Sequence, residues 1–391
     1  MTSTAPSSKV SESLGTCHVG REYSAIISDA TLGEYSLLIM PFIMTAMISG
    51  YHVSESHAGN LVSAQLIMMG IAGIAVSHML RRLAARVIVA FSAFMVIVAN
   101  ALCALGTDDT LLLVGRCLTG LGEGSLMAAA GAIAAGAANP HRLYSLLGVV
   151  IAAVAAAALV ATPYFIDHYG ALGVFWLLAV VPIIALASLR WLPDRTRIPA
   201  TSSAGRPLRT AAASSILLSF ALLWTGASAL WVFAELIGTH GGLSPAQVGT
   251  YLAIGQIAGL LGPIAANQFG DRIGLRASIV SGNLVMATAG LLMVFGPGWL
   301  SYCLGATFLS VAVMFLAPCY RTLMARLDGS GRIVATSVAF YTFGFGAAPA
   351  VVGMMHVDGS AYGDAALFAA AAFSVSAMLV FTVKVPANEA A

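Results

Sequence analysis

The sequence predicts an all-α polytopic membrane protein, with twelve transmembrane helices in two six-helix halves related as a parallel repeat. Three observations carry that expectation: the composition, the alternation of positive charge along the chain, and an internal repeat. Of 391 residues, 59% are hydrophobic and 9% are charged, whereas roughly a quarter of residues are charged in water-soluble domains. Water is not the solvent for most of this chain. A bilayer core about 30 Å thick takes about 20 apolar residues per helix, which leaves room for about a dozen spans and none for a long soluble domain.

In chain order, residues 1–24 are polar, rich in Ser and Thr, and carry Lys9, Glu12, Arg21 and Glu22 without the apolar core of a signal peptide. They are expected to form a flexible cytoplasmic tail. Six apolar runs follow at 25–49, 59–79, 87–106, 110–136, 143–166 and 171–191, an N-terminal bundle over 25–191. Residues 192–212, rich in Pro, Ser, Thr and Arg, read as a cytoplasmic linker. Six further runs at 213–237, 246–269, 276–296, 299–320, 333–355 and 362–384 make a C-terminal bundle over 213–384, and 385–391 form a second tail.

Lys and Arg resist translocation and stay in the cytoplasm. Arg81, Arg82 and Arg86 follow span 2, Arg142 follows span 4, and Arg190, Arg195, Arg197, Arg206 and Arg209 follow span 6. Arg272 and Arg276 follow span 8, Arg321, Arg326 and Arg332 follow span 10, and Lys384 ends span 12. The alternate connections, at about 50–58, 107–109, 167–170, 238–245, 297–298 and 356–361, carry neither Lys nor Arg. Both termini are therefore expected in the cytoplasm, with a bacterial inner membrane as the expected location.

The net charge of +2 comes from few charges and leaves no patch suited to nucleic acid. Cys17, Cys103, Cys117, Cys303 and Cys319 lack metal-ligand spacing, so neither a metal site nor a disulfide framework is expected. A G-x-x-x-x-G-K phosphate loop is absent from the sequence, which argues against ATP as energy source or cofactor. An embedded enzyme would need paired His, Asp or Glu at the bilayer surface, and a sensor would need an output domain. The sequence offers neither.

The repeat has an offset of 190 residues (244 − 54). It aligns Ser54 with Ser244, Gly59 with Gly249, Arg82 with Arg272, Arg86 with Arg276, Arg142 with Arg332, Ala171 with Ala361 and Gly173 with Gly363. Six helices per copy give both copies one orientation, an architecture of secondary transporters.

Two segments carry a family resemblance. NQFGDRIGLR after span 8 holds Asp271, Arg272, Gly274 and Arg276, and GRCLTGLGEGSL in span 4 holds Arg116, Gly120, Gly122 and Gly124. With these the chain resembles the major facilitator superfamily from about residue 25 onward. The resemblance implies transport by alternating access, a central cavity lined by helices 1, 4, 7 and 10, and a conformational-switch role for Asp271, Arg272, Gly274 and Arg276. The first-half copy of the loop motif, HMLRRLAAR, keeps only Arg82 and Arg86. GVVIAAVAAAALVATP in span 5 lacks the Gly-Pro core of the superfamily's drug/proton antiporters.

An ionisable residue inside a span points to function. Arg116 and Glu123 share one face of helix 4 and lie about 10 Å apart along its axis, a gap with room for a solute or water. Either they line the cavity, Arg116 attracting an anionic group and Glu123 exchanging a proton, or they brace helix packing. Glu34, about nine residues into span 1, falls in the same layer as Glu123 and is the second proton-coupling candidate. Asp29 is expected at the interface, and Glu235 near the external surface. In span 7, Trp224, Ser228, Trp231 and Glu235 form one stripe. Trp224 and Trp231 are candidates to contact a cyclic or aromatic solute, with plain packing as the alternative.

The function expected is secondary active transport of a small organic solute, an organic anion on the strength of Arg116, coupled to protons and running as symport. A proton-antiport exporter of drugs or metabolites on the same fold is the alternative. The expected partners are the solute, protons and the lipid bilayer, and the chain is read as a monomer.

Overall fold

The computed structural model describes residues 7–106, 108–137, 139–192, 211–328, 332–355 and 362–383. Helix is the only regular structure among them. Eleven helices are long and apolar enough to cross a membrane, and Met40–Tyr51 is a shorter apolar one. Together they make twelve spans in the expected order. Span 1 consists of Ser7–Gly33, Tyr35–Leu38 and Met40–Tyr51. Spans 2 to 5 are Glu55–Met79, Ala85–Leu105, Asp109–Ala135 and Pro140–Tyr169. Span 6 joins Gly173–Val180, Ile183–Ser188 and Leu189–Trp191 around Pro182.

Span 7 joins Ala211–Trp231 to Ala234–His240, and span 8 joins Pro245–Gly259 to Leu261–Ile273. Spans 9 to 12 are Leu275–Phe295, Gly298–Leu327, Arg332–Met355 and Gly363–Thr382. Of the expected linker at 192–212, residues 193–210 lie outside the described residues, as do 385–391.

Two expectations for span 1 need correction. The segment read as a flexible tail is helical from Ser7. Its polarity argued for water rather than against helix, and no proline stands between Pro6 and Pro41 to interrupt one. Asp29 is fully buried rather than interfacial, and it accepts a hydrogen bond from Ser188 Oγ of span 6 at 3.1 Å.

The repeat is visible in the packing. Spans 2 and 11 pack against each other, as do spans 5 and 8. Shifting by one half turns the first pair into the second, so both belong to one seam with a pseudo-twofold axis. The offset of 190 holds at single residues. Ser54 and Ser244 cap spans 2 and 8 by accepting from the backbone N–H three residues on. A Cβ on Gly59 would stand 2.5 Å from Pro349 O with Gly353 beyond it. A Cβ on Gly249 would stand 2.2 Å from Leu159 O with Pro163 beyond it. Leu159 and Pro163 are the repeat counterparts of Pro349 and Gly353.

This close approach has a measurable consequence. Gly249→Ala should force spans 5 and 8 apart at that point, at the roughly 1–3 kcal/mol typical of overpacking. Thermal unfolding of the purified protein should show a lowered midpoint, and Gly59→Ala should match it. Unchanged midpoints would mean that the seam is looser than described.

Hydrogen bonds also join the two halves. At the end opposite the arginines, Ala350 N donates to Ser63 Oγ at 2.9 Å, and Tyr362 Oη donates to the Glu55 carboxylate at 2.9 Å.

Candidate functional site

Span 4 brings Arg116 and Glu123 into a fully buried network whose centre is a span 2 residue, Gln65. Arg116 Nε and Nη2 donate to Gln65 Oε1 at 3.1 and 2.5 Å, and Nη1 donates to Asn100 Oδ1 of span 3 at 3.0 Å. The guanidinium also lies over the Phe175 ring of span 6, 5.5 Å from its centroid. A guanidinium has only donors, so Gln65 must turn its oxygen to Arg116 and its NH₂ the other way. That NH₂ donates to Ser36 Oγ at 2.7 Å and to Glu123 Oε2 at 3.2 Å. Ser36 adds its N–H to Glu123 Oε1 at 3.3 Å and its hydroxyl to Oε2.

Apart from the bond from Arg116 to Asn100, the hydrogen bonds of this network lead toward the Glu123 carboxylate. The gap of about 10 Å expected along the helix is filled by the Gln65 carboxamide rather than by a solute or water. Arg116 and Glu123 therefore tie spans 1, 2, 3 and 4 together in this state.

Glu34 is arranged differently. It sits at the first break of span 1, at φ −108° and ψ −2°, and a second break follows at Ile39. Its side chain is half-buried and makes no hydrogen bond or ion pair to any described residue. Ser36, two residues on, reaches Glu123, so both carboxylates lie in one layer. Tyr341 of span 11 is within electrostatic reach of Glu34.

The stripe on span 7 faces span 1. Trp231 Nε1 donates to Leu37 O at 2.9 Å, and the Glu235 carboxyl is bonded to Thr45. Glu235 is 2% exposed, which corrects its expected place at the surface: span 7 breaks after Trp231 and turns its last helix against span 1. On the same stripe, Trp224 Nε1 and Ser228 Oγ are buried without a hydrogen-bond partner among the described residues. Trp224 packs edge-on against Tyr341 at 4.6 Å and Phe345 at 6.1 Å between ring centroids. In the repeat, Trp224 is the counterpart of Glu34 (224 − 34 = 190). One half presents a carboxylate where the other presents an indole.

The loop motif is described in part. Gly274 joins spans 8 and 9 at φ +82° and ψ +143°, a conformation open to glycine and strained for other residues. Arg276 donates to Val383 O at the end of span 12, and its counterpart Arg86 donates to Leu192 O at the end of span 6 at 2.6 Å. Arg272 is exposed. The Asp271 side chain lies outside the described residues.

Sequence reasoning did not single out Gln65, Ser36, Asn100, Thr45 or Tyr341. The available signal was a carboxamide inside an apolar run at 65 and again at 100. Buried amides require partners as buried charges do.

A model of the Major Facilitator Superfamily matches residues 30–327 of the chain. No curated protein sequence matches it. Among solved structures, a D-xylose-proton symporter is similar at TM-score 0.77 and 14% identity, covering 94% of this chain and 98% of that one. The inward-open xylose transporter from E. coli is similar at 0.77 and 16%, covering 95% and 98%. A nucleoside transporter is similar at 0.75 and 13%, covering 94% and 98%. At such identities the likeness extends to the fold alone.

Proposed function

The chain belongs to the major facilitator superfamily, and from that premise we propose that it is a proton-coupled symporter of a small cyclic organic solute. The observation that supports this most is the interrupted pairing of spans 1 and 7. Toward one end the span 7 stripe is bonded to span 1 through Trp231 and Glu235. Toward the other, Glu34, Trp224 Nε1 and Ser228 Oγ have no partner among the described residues, and Tyr341 and Phe345 complete an aromatic wall. Unpaired buried donors carry a free-energy penalty that a solute with acceptors relieves, and the rings suit a flat or cyclic face. Glu34 takes the proton, while Glu123 remains a carboxylate opposite Arg116.

The organic-anion preference rests on Arg116, whose donors are held by Gln65 and Asn100. An anionic group reaches that guanidinium only by displacing Gln65, so an uncharged cyclic solute fits the geometry better. The positive-inside pattern supports cytoplasmic termini. Asp271, Arg272, Gly274 and Arg276 keep the switch role within this proposal. Antiport export is the second reading, which the absent Gly-Pro core of span 5 disfavours.

Counterflow in proteoliposomes against sugars, nucleosides, organic acids and amphipathic cations tests the reading. Uncharged cyclic solutes should exchange, and Trp224→Ala should weaken their apparent affinity by on the order of tenfold, as expected for loss of about 1 kcal/mol of stacking plus one hydrogen bond. Exchange of organic acids alone, unaffected by Trp224→Ala, would return the solute to Arg116.

A further inference from the structure

Thr45 and Glu235 are 190 residues apart and bonded to each other. Since 190 is the repeat offset, each is the other's counterpart, and their bond lies on the axis relating the two halves. The transport reading above uses this bond only as the closed end of the span 1 and span 7 pairing and assigns it no proton. The donor count at this bond is informative. Thr45 Oγ1 stands 3.3 Å from Pro41 O and is also bonded to the Glu235 carboxyl. A hydroxyl carries one hydrogen. Each contact is a full two-centre bond when Thr45 donates to Pro41 O and a protonated Glu235 donates to Thr45 Oγ1.

The surroundings agree. Among the described residues no Lys, Arg or His forms an ion pair with Glu235. Across a cavity of about 160 Å³, lined also by Phe42, Ala46 and Ser49, it faces Asp167 of span 5. Tyr302 of span 10 and Tyr362 before span 12 lie within electrostatic reach, and phenols stay neutral below about pH 10. His240, at the end of the same short helix, is exposed. With no ion-pair partner among the described residues, the buried Glu235 side chain is better accommodated with its proton on.

We propose that Glu235 is a proton-binding site at the gate opposite the arginines: protonated, it donates to Thr45 and latches spans 1 and 7 shut, and when it loses its proton to water in the cavity the latch opens. The ionised form would make Thr45 share its one hydrogen with Pro41 O or abandon it, and leave a buried carboxylate with one donor, a poor arrangement in an apolar setting. The idea goes beyond the solute reading and does not depend on it.

Spin labels on cysteines placed at the exposed positions Ser49 and His240, in a Cys-free background, report the gap between spans 1 and 7. The purified protein in detergent meets one buffer on both faces, so membrane sidedness does not enter. The separated population should grow relative to the close one by on the order of tenfold per pH unit, the limit for one proton lost per opening. Glu235→Gln keeps an NH₂ to donate to Thr45 and should stay close from pH 5 to 8. Thr45→Val removes the acceptor and should be separated even at pH 5. Asp167→Asn should retain the pH dependence. A wild-type pH dependence in Glu235→Gln, a close pair in Thr45→Val at pH 5, or no pH dependence in the parent would each overturn the latch.

Discussion

Arg116→Ala is expected to remove the folded protein and not merely its affinity for solute. The guanidinium is fully buried and gives three hydrogen bonds to Gln65 and Asn100. Its loss strands Gln65 Oε1 and Asn100 Oδ1 and leaves the Glu123 carboxylate without a compensating charge. Removing one partner of a buried charge network costs about 3–5 kcal/mol, a large share of the roughly 5–15 kcal/mol that holds a typical domain folded. Arg116→Lys should be intermediate, because an ammonium keeps the charge but cannot place two donors on Gln65 and a third on Asn100. Size-exclusion profiles and thermal midpoints in detergent, read beside equilibrium solute binding, check this. A stable, monodisperse Arg116→Lys protein with selectively weakened binding would put Arg116 on the solute surface after all.

That expectation departs from a reading of span 4 alone, and the reason lies in what a sequence displays. The number of spans, the repeat and the one-sided arginines are properties of local composition, and each can be read off a single chain. The offset of 190 also aligns Gly59 with Gly249, and the structure brings both against carbonyls across the seam. The partner of a buried charge is a different matter. Gln65 lies 51 residues before Arg116 and 58 before Glu123, and one uncharged amide in an apolar run does not announce that it will join them.

The breaks in span 1 were hidden for a similar reason. Gly33 borders the first and Pro41, in the first turn of Met40–Tyr51, follows the second, but both sit inside one apolar run that reads as a continuous span. Pro41 has no N–H for a helical bond to Leu37 O, which favours a break near Ile39. Glu34 looked like one more intramembrane carboxylate, and only the break distinguishes it from Glu123, which is held by Ser36 and Gln65.

That distinction sets the sharpest functional expectation, which is that Glu34→Gln uncouples transport from protons while leaving the carrier able to turn over. In symport at thermodynamic balance, one proton per solute allows about tenfold accumulation per unit of pH difference, equivalent to about 1.4 kcal/mol. A glutamine at 34 resembles the protonated acid in charge and shape, so the solute-loaded carrier should still change state and exchange solute across the membrane. Net accumulation driven by a pH gradient should fall to a ratio of about one, since no proton then accompanies the solute. Stability should change little, because the side chain has no bonded partner among the described residues to lose. Glu123→Gln is the informative contrast. It removes the charge opposite Arg116 and sets an amide NH₂ among donors from Ser36 and Gln65, so its first effect should be a lowered thermal midpoint. Exchange and pH-driven accumulation, measured on the same proteoliposomes for both variants, separate the two carboxylates. Intact accumulation in Glu34→Gln, together with a stable but uncoupled Glu123→Gln, would move the proton site to Glu123.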